Sequence, residues 1–152
     1  MSCSRSAVAS IKTVKHLLAL VFLAVAIAAR ATDPAPGDFT GHYELVKRTK
    51  SPFALDVQQK SRTATTSFSA GNADGSGAAP DGDGEGALNS KGELEFKWTD
   101  TFDNAGTATL RRDGKLYHLS MKNTKAAEPR ALSFYGEITL KRISTKPQMS
   151  TR

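Results

Sequence analysis

From Phe39 onward the chain alternates apolar and polar residues with a period of two, and no stretch sustains a 3.6-residue period. That pattern restricts the fold to strands with one buried face. The clearest case sets Leu94, Phe96 and Trp98 against Glu95, Lys97 and Thr99. Phe39, Gly41, Tyr43 and Leu45 alternate with Thr40, His42 and Glu44, and Phe53, Leu55 and Val57 resume the period after a break at Ser51-Pro52. Thr63 to Ala70 is β-branched and small, with Phe68 as its one large residue, and Ala87-Leu88 reads as a short strand turned by Asn89 to Gly92. Asp103 to Gly106 turns the chain into Thr107–Arg112, and Asp113-Gly114 is a hairpin signal leading to Tyr117, Leu119 and Met121. The last strand is predicted over Leu132–Arg142, with Phe134, Gly136, Ile138 and Leu140 on one face.

About eight short strands joined by short turns predict an all-β domain, a single antiparallel meander. Closing the meander into a barrel removes its exposed edges, although a β-sandwich uses the same alternation. The expected core is aromatic: Phe39, Tyr43, Phe53, Phe68, Phe96, Trp98, Tyr117 and Phe134. The domain is expected over residues 39–142, after a flexible Pro/Gly lead-in at 32–38 and before a polar, frayed tail at 143–152.

The first 31 residues read as a cleaved secretory signal. Arg5, Lys12 and Lys15 precede an apolar run from Leu17 to Ala29, and Ala29-Arg30-Ala31 offers small residues for cleavage after Ala31. Thirteen apolar residues fall short of the roughly 20 needed to span a bilayer, so no permanent membrane anchor is expected. The expected location is the periplasm or the cell exterior. Cys3 lies in this segment, which leaves the rest of the chain without a thiol, a disulfide or a thiolate metal site. The segment also holds Arg5, Lys12, Lys15 and Arg30 and no carboxylate, so the overall charge of +6 falls to +2 once it is removed. Lys141, Arg142, Lys146 and Arg152 concentrate in the last residues. A nucleic-acid partner is therefore not expected, since duplex binding needs a concentrated basic face.

Gly71 to Gly86 (GNADGSGAAPDGDGEG) holds six Gly and no large apolar residue, and is expected to be a long mobile loop. Within it Asp81, Asp83 and Glu85 space three carboxylates two apart and precede Gly86, as in positions 1, 3, 5 and 6 of a calcium loop. Position 12 is Gly92 rather than Glu, and the flanks are strands, so the competing account is a solvated acidic loop. Calcium is the one cofactor the sequence suggests. Because loops on a rigid scaffold are where binding concentrates, Asn72, Asp74, Ser76, Asp81, Asp83 and Glu85 form the candidate binding loop.

Other constellations carry less chemistry. His42 and His118 point away from the expected core, as surface histidines do, and zinc would require a third ligand. Gly75-Ser76-Gly77 lacks the spacing and the strand–turn–helix context of a nucleophile elbow. Glu93/Glu95 lie on the outer face of a strand, and Asp100/Asp103 flank a turn, where Asp serves as a backbone acceptor. No catalytic residue emerges.

Phe39-Thr40-Gly41-His42-Tyr43 resembles the short F-x-G-x-[YW] opening of small lipocalin-like barrels, and the eight-strand exported layout resembles bacterial periplasmic inhibitors of lysozyme. The chain departs from both: it lacks the inhibitors' cysteine pair and has Tyr43 where the lipocalin opening prefers Trp. The resemblance implies an exported binding protein without catalysis. The expected partner is another exported or cell-wall-associated protein, with a cell-wall-degrading enzyme as its target class. The alternative is a carrier for a small apolar ligand in the barrel interior.

Overall fold

Eight antiparallel strands, each hydrogen-bonded to the next in sequence, close into a barrel where the last strand pairs with the first. The computed structural model describes residues 37–47 and 49–148. The strands are β1 (Gly41–Leu45), β2 (Phe53–Lys60), β3 (Thr63–Ala70), β4 (Asp81–Leu88), β5 (Leu94–Asp100), β6 (Ala105–Asp113), β7 (Leu116–Lys125) and β8 (Glu137–Ser144). Closure resolves the choice between barrel and sandwich. The signal segment and most of the lead-in lie outside the described residues.

Period-two alternation sets the burial. In β5, Leu94, Phe96, Trp98 and Asp100 are buried and Glu95, Lys97 and Thr99 exposed. Seven of the eight expected core rings are buried. Phe68 stacks on Phe53 with centroids 5.8 Å apart and meets Trp98 edge-on, which favours a specific interlocked arrangement beyond area burial alone. Each such side chain contributes about 1.5–3 kcal/mol on transfer from water. Within this interior Thr66 Oγ1 is buried without a hydrogen-bond partner.

Three expectations require correction. Gly71–Gly86 is not one loop, because residues 81–86 form most of β4. The glycines there face inward, where space is short: a Cβ on Gly82 would lie 2.2 Å from Phe68 Cζ. The intervening acids point to water, so the run obeys the same in/out alternation as every other strand, with glycine as the inward residue. The last strand starts later than expected, since Pro129–Phe134 forms a 3-10 helix and Phe134 is only half-buried on it. Finally, residues 143 and 144 belong to β8, and Gln148 donates its backbone N–H to Asp56 at 2.6 Å, so the described part of the tail is held.

The meander sends alternate connections to opposite ends. One end, the turn end, carries the short links 61–62, 89–93 and 114–115 together with the segment entering β1 and the segment leaving β8. The opposite, loop end carries 46–52, 71–80, 101–104 and 126–136. At the turn end Phe39 is buried, its N–H bonded to Gln59 Oε1 at 3.0 Å and its carbonyl accepting from the Tyr43 hydroxyl. Arg142 donates to the carbonyls of Asp38 and Thr40 and lies 5.8 Å above the Tyr117 ring, so Gly37–Thr40 are tied to the barrel.

Burial, reinforced by the neighbouring Tyr117, pushes the Tyr43 hydroxyl well above its ordinary 10.0. A raised folded-state value means the contribution is complete below the unfolded tyrosine's ionisation near pH 10 and is lost above it. Stability is therefore expected to hold level to about pH 10 and then to fall by about 1.4 kcal/mol per pH unit for Tyr43. Urea midpoints measured into the alkaline range check this, and Tyr43→Phe should reduce the slope by that amount while lowering the plateau.

Candidate functional site

The loop end is where the fold gathers irregular backbone, and its parts are braced against one another. Loop 71–80 docks on loop 46–52: Ala73 N–H donates to the Lys50 carbonyl at 2.7 Å, Gly71 N–H to the Pro52 carbonyl at 3.3 Å, and Ser51 Oγ to Asn72 Oδ1 at 3.1 Å. Internally, Asn72 Nδ2 donates to the Ser76 carbonyl at 2.9 Å, and Asp74 Oδ1 accepts both the hydroxyl (2.7 Å) and the N–H (3.0 Å) of Ser76. These bonds, the hydroxyl first, hold the Asp74 carboxyl below the usual range. Gly75 and Gly77 supply the left-handed φ values, 74° and 75°, that the turn requires. The expected mobile segment is thus a short, internally bonded loop.

Between the two loops a groove of about 500 Å³ opens at the barrel rim. Leu45, Pro52, Phe53, Ala70 and Ala73 line it with apolar surface, and Glu44 and Lys47 are its charged lining residues. Val46, 38% exposed, and Phe102, 36% exposed, add apolar surface at the same end.

A buried polar network closes the end beneath these loops. Asp100 Oδ1 accepts from the N–H groups of Phe102 and Asn104, both at 2.9 Å, while Oδ2 accepts from Asn104 Nδ2 at 2.8 Å and the Tyr135 hydroxyl at 2.6 Å. Asn104 Oδ1 in turn accepts from Ala127 and Glu128 N–H at 2.8 and 2.9 Å. Tyr135 packs over Trp98 at 4.6 Å between centroids and edge-on to Phe68. Burial and then its bond to Asp100 raise the Tyr135 hydroxyl well above its ordinary value, so it acts as a donor at neutral pH. At the rim of this assembly Arg130 holds the Glu128 carboxyl down at about 2.

The candidate binding loop separates into two places. Asn72, Asp74 and Ser76 lie in loop 71–80, whose Gly71 and Ala73 line the groove, whereas Asp81, Asp83 and Glu85 occupy alternate positions of β4 on the outer face. Successive outward residues of a strand are about 6.6 Å apart, so the three carboxylates run in a line instead of wrapping one ion. Among the described residues no group of three His, Cys, Asp or Glu is placed to hold a metal. The segment's backbone is strand, because the glycines that suggested a wrapping loop are the inward residues of β4.

Of His42 and His118, only His42 departs from the expected surface placement. His118 is half-exposed beside Asp113 at 3.4 Å. His42 points outward but is buried, with Nδ1 3.0 Å from Asp56 Oδ1 and Nε2 3.6 Å from Glu44. β8 lies between the strands that carry them, so they do not converge. Glu93 and Glu95 both accept from Asn89 Nδ2, which braces their turn. Asp100 and Asp103 do not act as a pair, since Asp100 is the buried acceptor described above.

Comparison of the chain with protein-family models, with curated proteins and with solved structures finds no match in any of the three.

Proposed function

We propose that this chain is an exported, non-catalytic binding protein that recognises another protein through the loop end of its barrel. One observation carries the reading: the apolar groove of about 500 Å³ between loops 46–52 and 71–80, whose walls are hydrogen-bonded to each other before any partner arrives. A pre-formed concave site binds without the entropy cost of ordering a free loop. The groove suits a protruding apolar side chain, with Glu44 and Lys47 available to fix its polar surroundings. The buried rings that occupy the interior favour this reading over a small-ligand carrier. A cell-wall-degrading enzyme is the partner class to test first.

The test is inhibition of lysozyme-type hydrolysis of peptidoglycan, together with capture from the exported fraction of the cell. Ala73→Arg, which fills the groove, and replacement of residues 72–79 by a short Gly/Ser turn should each abolish capture or inhibition while leaving the thermal transition in place. Binding that survives both changes would overturn the loop-end assignment. Co-purification of an apolar small molecule would favour the carrier.

A further inference from the structure

We propose that the turn end of the barrel is a docking surface for an anionic lipid membrane. Along the sequence the cations after residue 38 look dispersed and almost balanced by carboxylates. The meander collects them, because alternate connections return to the same end. Arg111, Arg112 and Lys115 surround the β6–β7 turn, Lys141 pairs with Leu116 across β7 and β8, and Lys146 follows β8, all of them exposed. The other two turns at this end add Lys60 and Lys91.

The carboxylates at this end, Asp38, Glu93, Glu95 and Asp113, are outnumbered by these cations. Asp113 faces His118 at 3.4 Å, Asp38 lies 3.5 Å from the Arg142 guanidinium, and Glu93 accepts from Asn89. At the loop end, by contrast, carboxylates such as Asp74, Asp103 and Glu128 stand among the cations.

Two large apolar side chains project within the basic patch. Leu116 is 37% exposed and Ile143 is 47% exposed. On the outer face Leu116 sits opposite Lys141 and Ile143 lies two residues further along β8, which makes them diagonal neighbours on adjacent strands. Exposed aliphatic residues ringed by Lys and Arg match the boundary between acyl chains and anionic headgroups: the cations meet the negative surface potential, and the aliphatic pair enters below the headgroups. A nucleic acid would engage the cations but leave Leu116 and Ile143 without an apolar phase.

The barrel docks by its end and does not span, because the outer face of β5 carries Glu95, Lys97 and Thr99 where a spanning barrel needs an apolar band. Docked in this way, the loop end points away from the membrane.

The experiment is co-sedimentation of the full chain with vesicles of phosphatidylcholine alone and of phosphatidylcholine mixed with phosphatidylglycerol, at low and high salt. Comparison with variants of the same full chain keeps any contribution of residues 1–36 constant. Wild type should partition to the anionic vesicles in a salt-sensitive way. Lys115→Glu with Lys141→Glu should lower that partition by about 30-fold or more, a factor of about 5 for each cation removed. Leu116→Ser with Ile143→Ser should weaken vesicle binding but leave any retention on duplex DNA unchanged. Lys125→Glu, at the loop end, should bind as wild type does, and circular dichroism should show every variant folded. Equal binding to both vesicle types, or charge reversal without effect, would overturn the proposal. Loss of DNA retention without loss of vesicle binding would reassign the patch to a nucleic acid.

Discussion

Gly86→Ala is expected to destabilise the barrel by about 3 kcal/mol or more and to lower its melting temperature by roughly 12 °C or more. A Cβ at this position would stand 1.9 Å from the Glu95 carbonyl oxygen and 2.5 Å from Phe96 Cα. Both are backbone atoms of the neighbouring strand, so no rotamer change relieves the clash, and β4 would have to separate from β5 along their ladder. Overpacking usually costs about 1–3 kcal/mol when side chains can shift; here the fixed backbone puts the cost at about 3 kcal/mol or more. Gly106 faces the same constraint, since its Cβ would meet the Lys122 carbonyl and the Trp98 ring. The companion experiment replaces Asp83, three residues earlier in the sequence, with Ser. That side chain is exposed on the outer face, so the change should stay within about 0.5 kcal/mol. Chemical denaturation of both variants distinguishes two accounts of the Asp/Gly run. If it were a flexible loop, Gly86→Ala would be neutral or mildly stabilising. As an inward row of glycines, it is intolerant of a single methyl group.

This contrast marks how far the fold was legible. Where inward positions hold Leu, Phe or Trp, as in β5, the period of two is visible and the strand follows directly from it. In β4 the inward positions hold Gly82, Gly84 and Gly86, and the apolar signal vanishes although the alternation persists. The rings that fill the vacated space, Phe68 and Phe96, come from β3 and β5, so the pattern makes sense only across strands. The same limit applies to Phe134: a residue in phase with Ile138 and Leu140 looks like strand until Pro129 and the Glu128 cap start a 3-10 helix.

Site legibility follows a similar line. Asn72, Asp74 and Ser76 were recognisable as loop residues from local composition, and they do line the braced loop end. The backbone-acceptor role of Asp100 was legible from its place beside a turn, and it accepts from Phe102 and Asn104 N–H, but its burial and its bond to Tyr135 were not. What distinguishes Asp100 is Tyr135, a residue 35 positions away that reaches it only after the barrel closes. The basic turn end was hidden for a related reason. Net charge is a property of composition, whereas a patch depends on which turns share an end.

Asn104→Ala is expected to destabilise the protein by about 3 kcal/mol, which for a domain of this size lowers the melting temperature by roughly 12 °C or more. Asn104 is completely buried and every polar atom of its amide is used. Nδ2 donates to Asp100 Oδ2 and to the Glu128 carbonyl at 3.4 Å, and Oδ1 accepts from two consecutive N–H groups at 127 and 128. Truncation removes these partners and leaves the Asp100 carboxylate with less to balance it, a heavier loss than deleting one exposed hydrogen bond. The effect should be local before it is global. Amides of Ala127, Glu128 and Tyr135 should exchange faster under native conditions, because Asn104 is what ties segment 126–136 to the β5–β6 turn, while amides of β2 and β3 should change only with global stability. Asn104→Asp tests the electrostatics: it keeps the shape and an acceptor for the two N–H groups but sets a second carboxylate against Asp100. Its deficit should shrink as the pH falls through the carboxylate range, whereas that of Asn104→Ala should not. If Asn104→Ala left both the midpoint and the exchange of segment 126–136 unchanged, the loop end would be held by Tyr135 packing on Trp98 and Phe68 instead of by the polar network.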